Sequence, residues 1–223
     1  MTRRRIALLI APLCLLSGLC GPLPLKKPIS VPVQPPGYAV SGRRIVFQTP
    51  AFTVAAEPLD DQGAQRFFRE HTGQDVNPFR IPSGPGYQVF LVTVVNSGRV
   101  DLNFNAVYAT MSAEGKFLYH LPPHELAVEM APMFPDVDLN ALFSAAVYDE
   151  SAVINPKHYT SRLLVFYPLE PDVRRFVLMF SNVAYGESST EVAFPFEVME
   201  TDKWQGKAAE PLVMPAALKE QKD

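Results

Sequence analysis

Tyr87-Gln88-Val89-Phe90-Leu91-Val92-Thr93-Val94-Val95, followed by Asn96-Ser97-Gly98-Arg99 and then Val100-Asp101-Leu102-Asn103-Phe104-Asn105-Ala106-Val107-Tyr108, is the stretch whose reading decides the fold class. In the last run Val100, Leu102, Phe104, Ala106 and Tyr108 alternate with Asp101, Asn103 and Asn105. That period of two marks a strand with one buried face. The first run is apolar on both faces, which predicts a central strand covered on both sides. Asn96-Ser97-Gly98-Arg99 has the composition of a turn, so the whole stretch predicts a hairpin.

The C-terminal half uses the same grammar. Residues 162–167 form a compact apolar run. Phe176, Leu178 and Phe180 share one face of the next strand, Arg175, Val177 and Met179 the other, and Pro168 to Asp172 is expected to turn between the two runs. Val192, Phe194, Phe196 and Val198 then alternate with Glu191, Ala193 and Glu197. Pro195 on the outward side predicts a sheet edge or a bulge, because proline cannot donate to a ladder. Arg44 to Gln48 and Ala51 to Ala56 read as two short strands broken at Pro50. Asp60 can cap a helix to about Thr72, with Ala64, Phe67 and Phe68 inward and Gly73 as its stop. A second helical region over 124–147 is split by Pro132 and Pro135, with Asp136 as a possible cap and Val137, Leu142, Phe143 and Ala146 as its buried stripe. These patterns predict a mainly β chain: an antiparallel β-sandwich over residues 43–202 with short helical insertions.

The run from Phe90 to Gly98 and the strand after it are similar to a strand and turn in immunoglobulin-like domains of exported bacterial lipoproteins of unknown function. The later pair, Leu163 to Tyr167 and Val173 to Phe180, resembles the closing strands of such domains. The resemblance implies an immunoglobulin-like fold and brings no catalytic residues with it. The segment from Pro122 to Val147 departs from a minimal domain of this kind.

The ends of the chain speak to address. Arg3-Arg4-Arg5 is followed by an apolar run from Ile6 to Leu19 and then Cys20-Gly21. This matches the basic and apolar parts of a secretory signal. It falls short of the roughly 20 apolar residues of a membrane-spanning helix. Ser17 and Gly18 before Cys20 resemble the lipobox of bacterial lipoproteins, in which the cysteine thiol is acylated and becomes the new N-terminus; Leu19 stands where that pattern has a small residue. Residues 1–20 are therefore read as a lipoprotein-type signal peptide with Cys20 as the lipid-attachment residue. The proline-rich residues 21–42 read as a semi-rigid tether, and the charged tail 203–223 as disordered. No cysteine follows Cys20, so no disulfide can hold the exported body.

Charge excludes one class of partner. The chain carries 20 basic and 23 acidic residues, and loss of the three leader arginines moves its formal charge from −3 to about −6. Nucleic-acid binding requires a basic footprint, so no nucleic-acid partner is expected.

Motifs for chemistry are sparse. There is no Gly-x-Ser-x-Gly elbow and no glycine-rich phosphate loop. His124-Glu125-Leu126-Ala127-Val128 begins like a zinc-protease helix, but Val128 stands where the second histidine belongs. Histidine and thioether side chains suit copper, which makes His120, His124, Met130 and Met133 a candidate metal set; methionines on a short apolar helix equally serve as core filler. Paired carboxylates such as Asp136 and Asp138 could support hydrolysis only if the fold brings two together. The expected function is a lipid-anchored, non-catalytic binding or assembly module of the bacterial cell envelope, facing the periplasm or in the outer membrane. It would have an envelope protein partner and no cofactor. Periplasmic copper handling and a small hydrolase are the alternatives.

Overall fold

The computed structural model describes residues 28–80, 86–207, 209–210, 212, 214 and 218–221. The leader and Cys20 lie outside them. The described chain is mainly β, with thirteen strands in two sheets and three α-helices.

The first sheet contains β1 (Pro28–Pro32), β6 (Leu102–Asn105), β7 (Ala109–Ala113), β8 (Lys116–Tyr119), β9 (Ser151–Ile154), β11 (Arg175–Tyr185) and β12 (Ser188–Glu200). Its order is β1-β12-β11, after which it forks. The C-terminal half of β11 pairs with β6 and then β9, and its N-terminal half pairs with β7 and then β8. A register shift between Phe180 and Val183 separates the two halves. The second sheet has the order β13-β10-β5-β4-β3-β2. Its strands are β2 (Tyr38–Ser41), β3 (Arg44–Gln48), β4 (Phe52–Pro58), β5 (Gln88–Asn96), β10 (His158–Phe166) and β13 (Lys219–Glu220). All pairs are antiparallel except β10 with β13.

One apolar core lies between the sheets. Phe90, Val92, Val94, Leu164 and Phe166 from the second meet Phe104, Met111, Phe176, Leu178, Phe180 and Phe194 from the first. Phe90 packs within 6.1 Å of Phe166, Phe176 and Phe196, centroid to centroid. A second core forms on the other side of the second sheet. There α1 (Asp61–Thr72), α2 (Pro123–Met130) and α3 (Leu139–Ala146) lay Phe68, Leu126, Met130 and Phe143 on Val89, Leu163 and Val165. Strand β5 thus feeds both cores, as its doubly apolar pattern requires.

Several expectations are met at the level of elements. Helix α1 starts with the Asp60 carboxylate accepting from Gly63 N–H and ends at Gly73 in the left-handed region, and it buries Ala64, Phe67 and Phe68. The split helical region becomes α2 and α3, although the cap of α3 is Asp138, not Asp136. Residues 44–48 and 52–58 form a hairpin around Thr49, whose hydroxyl accepts from Phe52 N–H.

Others are corrected. The stretch from Tyr87 to Tyr108 is not a hairpin: β5 pairs with β4 and β10, and β6 pairs with β11 and β9. Residues 97–101 are an arch that carries the chain from one sheet to the other. Asn96 holds it, donating to Val100 O and Ile154 O and accepting from Gly98 N–H. The Tyr185 hydroxyl accepts from Arg99 N–H, and a Cβ at Gly98 would collide with that tyrosine. Likewise 167–174 joins β10 to β11 across the sheets. A turn composition reports that the chain reverses, not which strand it will pair with. Strand β12 as a whole is not an edge strand, since it lies between β1 and β11, and Pro195 marks no bulge; but the β1 ladder ends at Phe196, so the proline sits just beyond it on a locally open side of β12, where its missing donor costs no ladder bond. The segment read as a tether is strand from Pro28 onward, paired as β1 and, after Gly37, as β2. The tail, expected to be loose, is bonded to the second sheet at Glu210 and again at 219–221.

Candidate functional site

The fork of the first sheet leaves a cavity of about 240 Å³. Val107 lines it from the turn between β6 and β7, Tyr119 and His120 from the end of β8, His124 from α2, and Asp149 and Glu150 from the approach to β9. Glu150 O accepts from Ala106 N–H at 2.8 Å, which ties the two sides of the fork together.

His120 forms the floor. It is 8% exposed. Its Nδ1 accepts from Val165 N–H at 3.4 Å, so its other nitrogen carries the proton and Nε2 donates to Tyr148 O at 2.7 Å. The ring therefore caps the free edge of β10, continued by Leu121 N–H to Val165 O and Tyr148 N–H to Leu163 O. Burial holds this imidazole below its ordinary pKa, against the opposing pull of the Tyr148 carbonyl and the Asp149 charge. With both nitrogens bonded to backbone, the ring has no lone pair left for a metal.

The four residues of the candidate metal set do not line one cavity. His120 and His124 share it. Met130 is fully buried in the helical core, and Met133 is exposed at the end of α2. Among the described residues, no three histidine, cysteine, aspartate or glutamate side chains are arranged to hold a metal ion. Cys20, the predicted lipid-attachment residue, lies outside the described residues.

No family model and no curated protein matches the chain. Among solved structures it is similar to a candidate lipoprotein (ycdA) of Bacillus subtilis subsp. subtilis strain 168, at 12% identity and a TM-score of 0.41. The match covers 68% of this chain and 38% of that one; so distant a likeness carries no argument about fold or function. Among the described residues, no helix is long and apolar enough to cross a membrane.

The remaining surface feature is the outer face of the first sheet. Cross-strand registers align Pro195, Val177, Ser112 and Phe117 in one row, and Ala193, Met179, Thr110 and Tyr119 in the next. Val33 extends the first row through its N–H to Pro195 O. Phe117 and Tyr119 are exposed, at 54% and 66%. A shallow groove of about 480 Å³ runs here between Val33, Ser112, Val177 and Pro195, rimmed by the Arg175–Glu197 ion pair. Sequence reading placed Val177 and Met179 on one face, but it missed β7 and β8, whose short patterns are interrupted by the Glu114-Gly115 turn. Asp149 and Glu150 stand in no motif that would single them out.

On the helical side, one carboxylate gathers two phenols. Tyr87 and Tyr167 donate to the two oxygens of Glu129, at 2.7 and 3.2 Å. Burial, together with the adjacent carboxylate, pushes the Tyr87 hydroxyl above its ordinary pKa. The cluster pins α2 to β5 and to the end of β10.

Proposed function

We propose that the chain is a lipid-anchored protein of the bacterial cell envelope, held through Cys20, whose immunoglobulin-like β-sandwich is a non-catalytic binding or assembly module. The leader supports the address, and the two arches between antiparallel sheets support the immunoglobulin-like reading. The observation that carries the binding role is the outer face of the first sheet. Val33, Val177, Pro195 and Phe117 make an apolar centre and Arg175 and Glu197 a charged rim, which is the anatomy of a protein-binding patch. The partner is an envelope protein that presents apolar side chains to this row.

Catalysis finds less support. His120 is the buried acid–base group best placed in a cavity, and both its nitrogens hold backbone groups whose loss would leave buried polar atoms unpaired. The same bonds count against copper handling.

Fractionation tests the address. The wild-type chain is expected in the membrane pellet, and Cys20→Ser is expected in the soluble exported fraction; a Cys20→Ser chain that still pellets contradicts the anchor. For the binding face, a photo-cross-linking residue at Val177 is expected to give a discrete adduct in whole cells. The same residue at Val128, 77% exposed on α2, should give none. Equal yields at the two positions contradict the reading.

A further inference from the structure

The outer face of the second sheet has a region the helices do not reach. Its outward residues fall in rows: Arg44–Glu57–Leu91–Leu163, then Val46–Ala55–Thr93–Ser161, then Gln48–Thr53–Val95–Tyr159. The helical core includes Leu163 and packs on Leu91, but includes nothing from the next two rows. Ala55, Thr93 and Val95 are nonetheless buried, at 2%, 8% and 4% exposure. Something else covers them.

The C-terminal segment is bonded at both ends of that region. Glu210 N–H donates to the Ser41 hydroxyl at 3.1 Å and Glu210 O accepts from the Arg44 guanidinium at 2.6 Å, on the β2–β3 side. On the β10 side, Lys219 N–H donates to Lys157 O and Gln221 N–H to Tyr159 O, at 3.1 and 2.8 Å. The Gln221 side chain continues the pattern. Its Oε1 accepts from Asn155 N–H at 3.1 Å and its Nε2 donates to Val153 O at 2.7 Å, as a further peptide group would. Three strand spacings between β3 and β10 come to about 14 Å, well inside the roughly 30 Å that the chain from Glu210 to Lys219 can span. Leu212, Met214 and Leu218 within it are half-buried.

We infer that this face is a peptide-binding site, occupied in cis by the chain's own C-terminal segment, whose described residues 209, 210, 212, 214 and 218–221 are bonded or half-buried there. The floor is the small-residue row of Ala55 and Thr93 with Val95 beside it, and the edge of β10 supplies the strand partner. The ligand it fits is an extended segment with apolar side chains that ends in a side-chain amide. The inference deepens the reading of the chain as a binding module by naming the chemical class of one partner, an extended segment that displaces the tail. It does not depend on the lipid anchor, so fractionation of Cys20→Ser leaves it untouched.

The test uses the full chain and a dye-labelled synthetic peptide of residues 209–221. A double variant, Lys219→Pro with Gln221→Ala, removes one backbone donor and both side-chain bonds. It is expected to bind the peptide at least tenfold more tightly than the wild-type chain, in which the site is filled. Equal affinity, or no binding by a variant with a native circular dichroism spectrum, overturns the proposal. If the variant loses its native spectrum, hydrogen exchange on the wild-type chain decides. The amides of Asn155, Lys219 and Gln221 are expected to exchange together, at least tenfold faster than the centre of β10. Exchange of these amides only with global unfolding makes the segment a permanent strand and overturns the proposal.

Discussion

Thr93 and Val95 point outward from the middle of the second sheet and are 8% and 4% exposed. Val177 and Pro195 point outward from strands just as central to the first sheet and remain only partly buried. The pleat is the same in both places, and so is the antiparallel pairing. What differs is the third layer: helices and the bonded C-terminal segment lie on one side, and among the described residues no helix lies on the other. An apolar outward position is thus core on one sheet and available surface on the other. Under the proposed binding role, that uncovered apolar face is where the partner docks.

The shared core sets the scale for any attempt to break this comparison. Phe90→Ala removes a ring that packs on both sheets and is expected to cost about 3–5 kcal/mol, read as a shift in the denaturant midpoint. A loss under about 1 kcal/mol would mean that the sheets do not share that core. The outer faces should then diverge. Thr93→Asp places a carboxylate under cover and is expected to cost about 3 kcal/mol. Ser112→Asp, on the outward side of the first sheet, should change stability by no more than about 0.5 kcal/mol. Equal costs for the two would erase the difference between the faces.

The pH dependence comes next. The folded His120 has a lowered pKa because it is buried, while the unfolded chain takes up the proton at the ordinary value of 6.5. Below that value the unfolded state therefore holds more protons, and stability falls as pH drops, with a slope approaching about 1.4 kcal/mol per pH unit. Above it this group contributes no slope. Asp149, lining the same cavity, opposes the effect without reversing it. Denaturation midpoints between pH 5 and pH 8 should show the fall in the wild-type chain and a flatter profile in His120→Gln, whose amide can still donate and accept. Identical profiles would show that the histidine does not carry the effect. The smallest change is expected at Arg175→Ala. That residue's ion pair with Glu197 is largely in solvent and is worth no more than about 0.5 kcal/mol, so a larger loss would place it in a covered interface.

Local signals were legible where a residue's own chemistry sets the structure. The cap at Asp60, the glycine stop at Gly73 and the stripe Ala64, Phe67 and Phe68 can each be read without knowing the fold. The doubly apolar run of β5 correctly announced a strand covered on both sides. Pairing was not legible, because Asn96 to Gly98 reverses the chain equally well within a sheet or between two. Pro28 to Pro32 looked like a spacer, since composition shows the missing donors but not an available edge on β12. Of the candidate metal residues, sequence placed His120 and His124 near each other and the fold put both on one cavity. It could not foresee that backbone at Tyr148 and Val165 would occupy both nitrogens of His120. Lys219 to Gln221 carried no strand pattern. Their order comes from bonds to Asn155, Lys157 and Tyr159, which are distant in sequence.

Carbene footprinting of the purified chain and of the chain in its native envelope tests the two-face account most directly. The account predicts that Val177, Met179 and Pro195 are labelled in the purified protein and protected in the envelope, while Ala55, Thr93 and Val95 are protected in both. Labelling of the first sheet's outer face that is the same in the two preparations would contradict it.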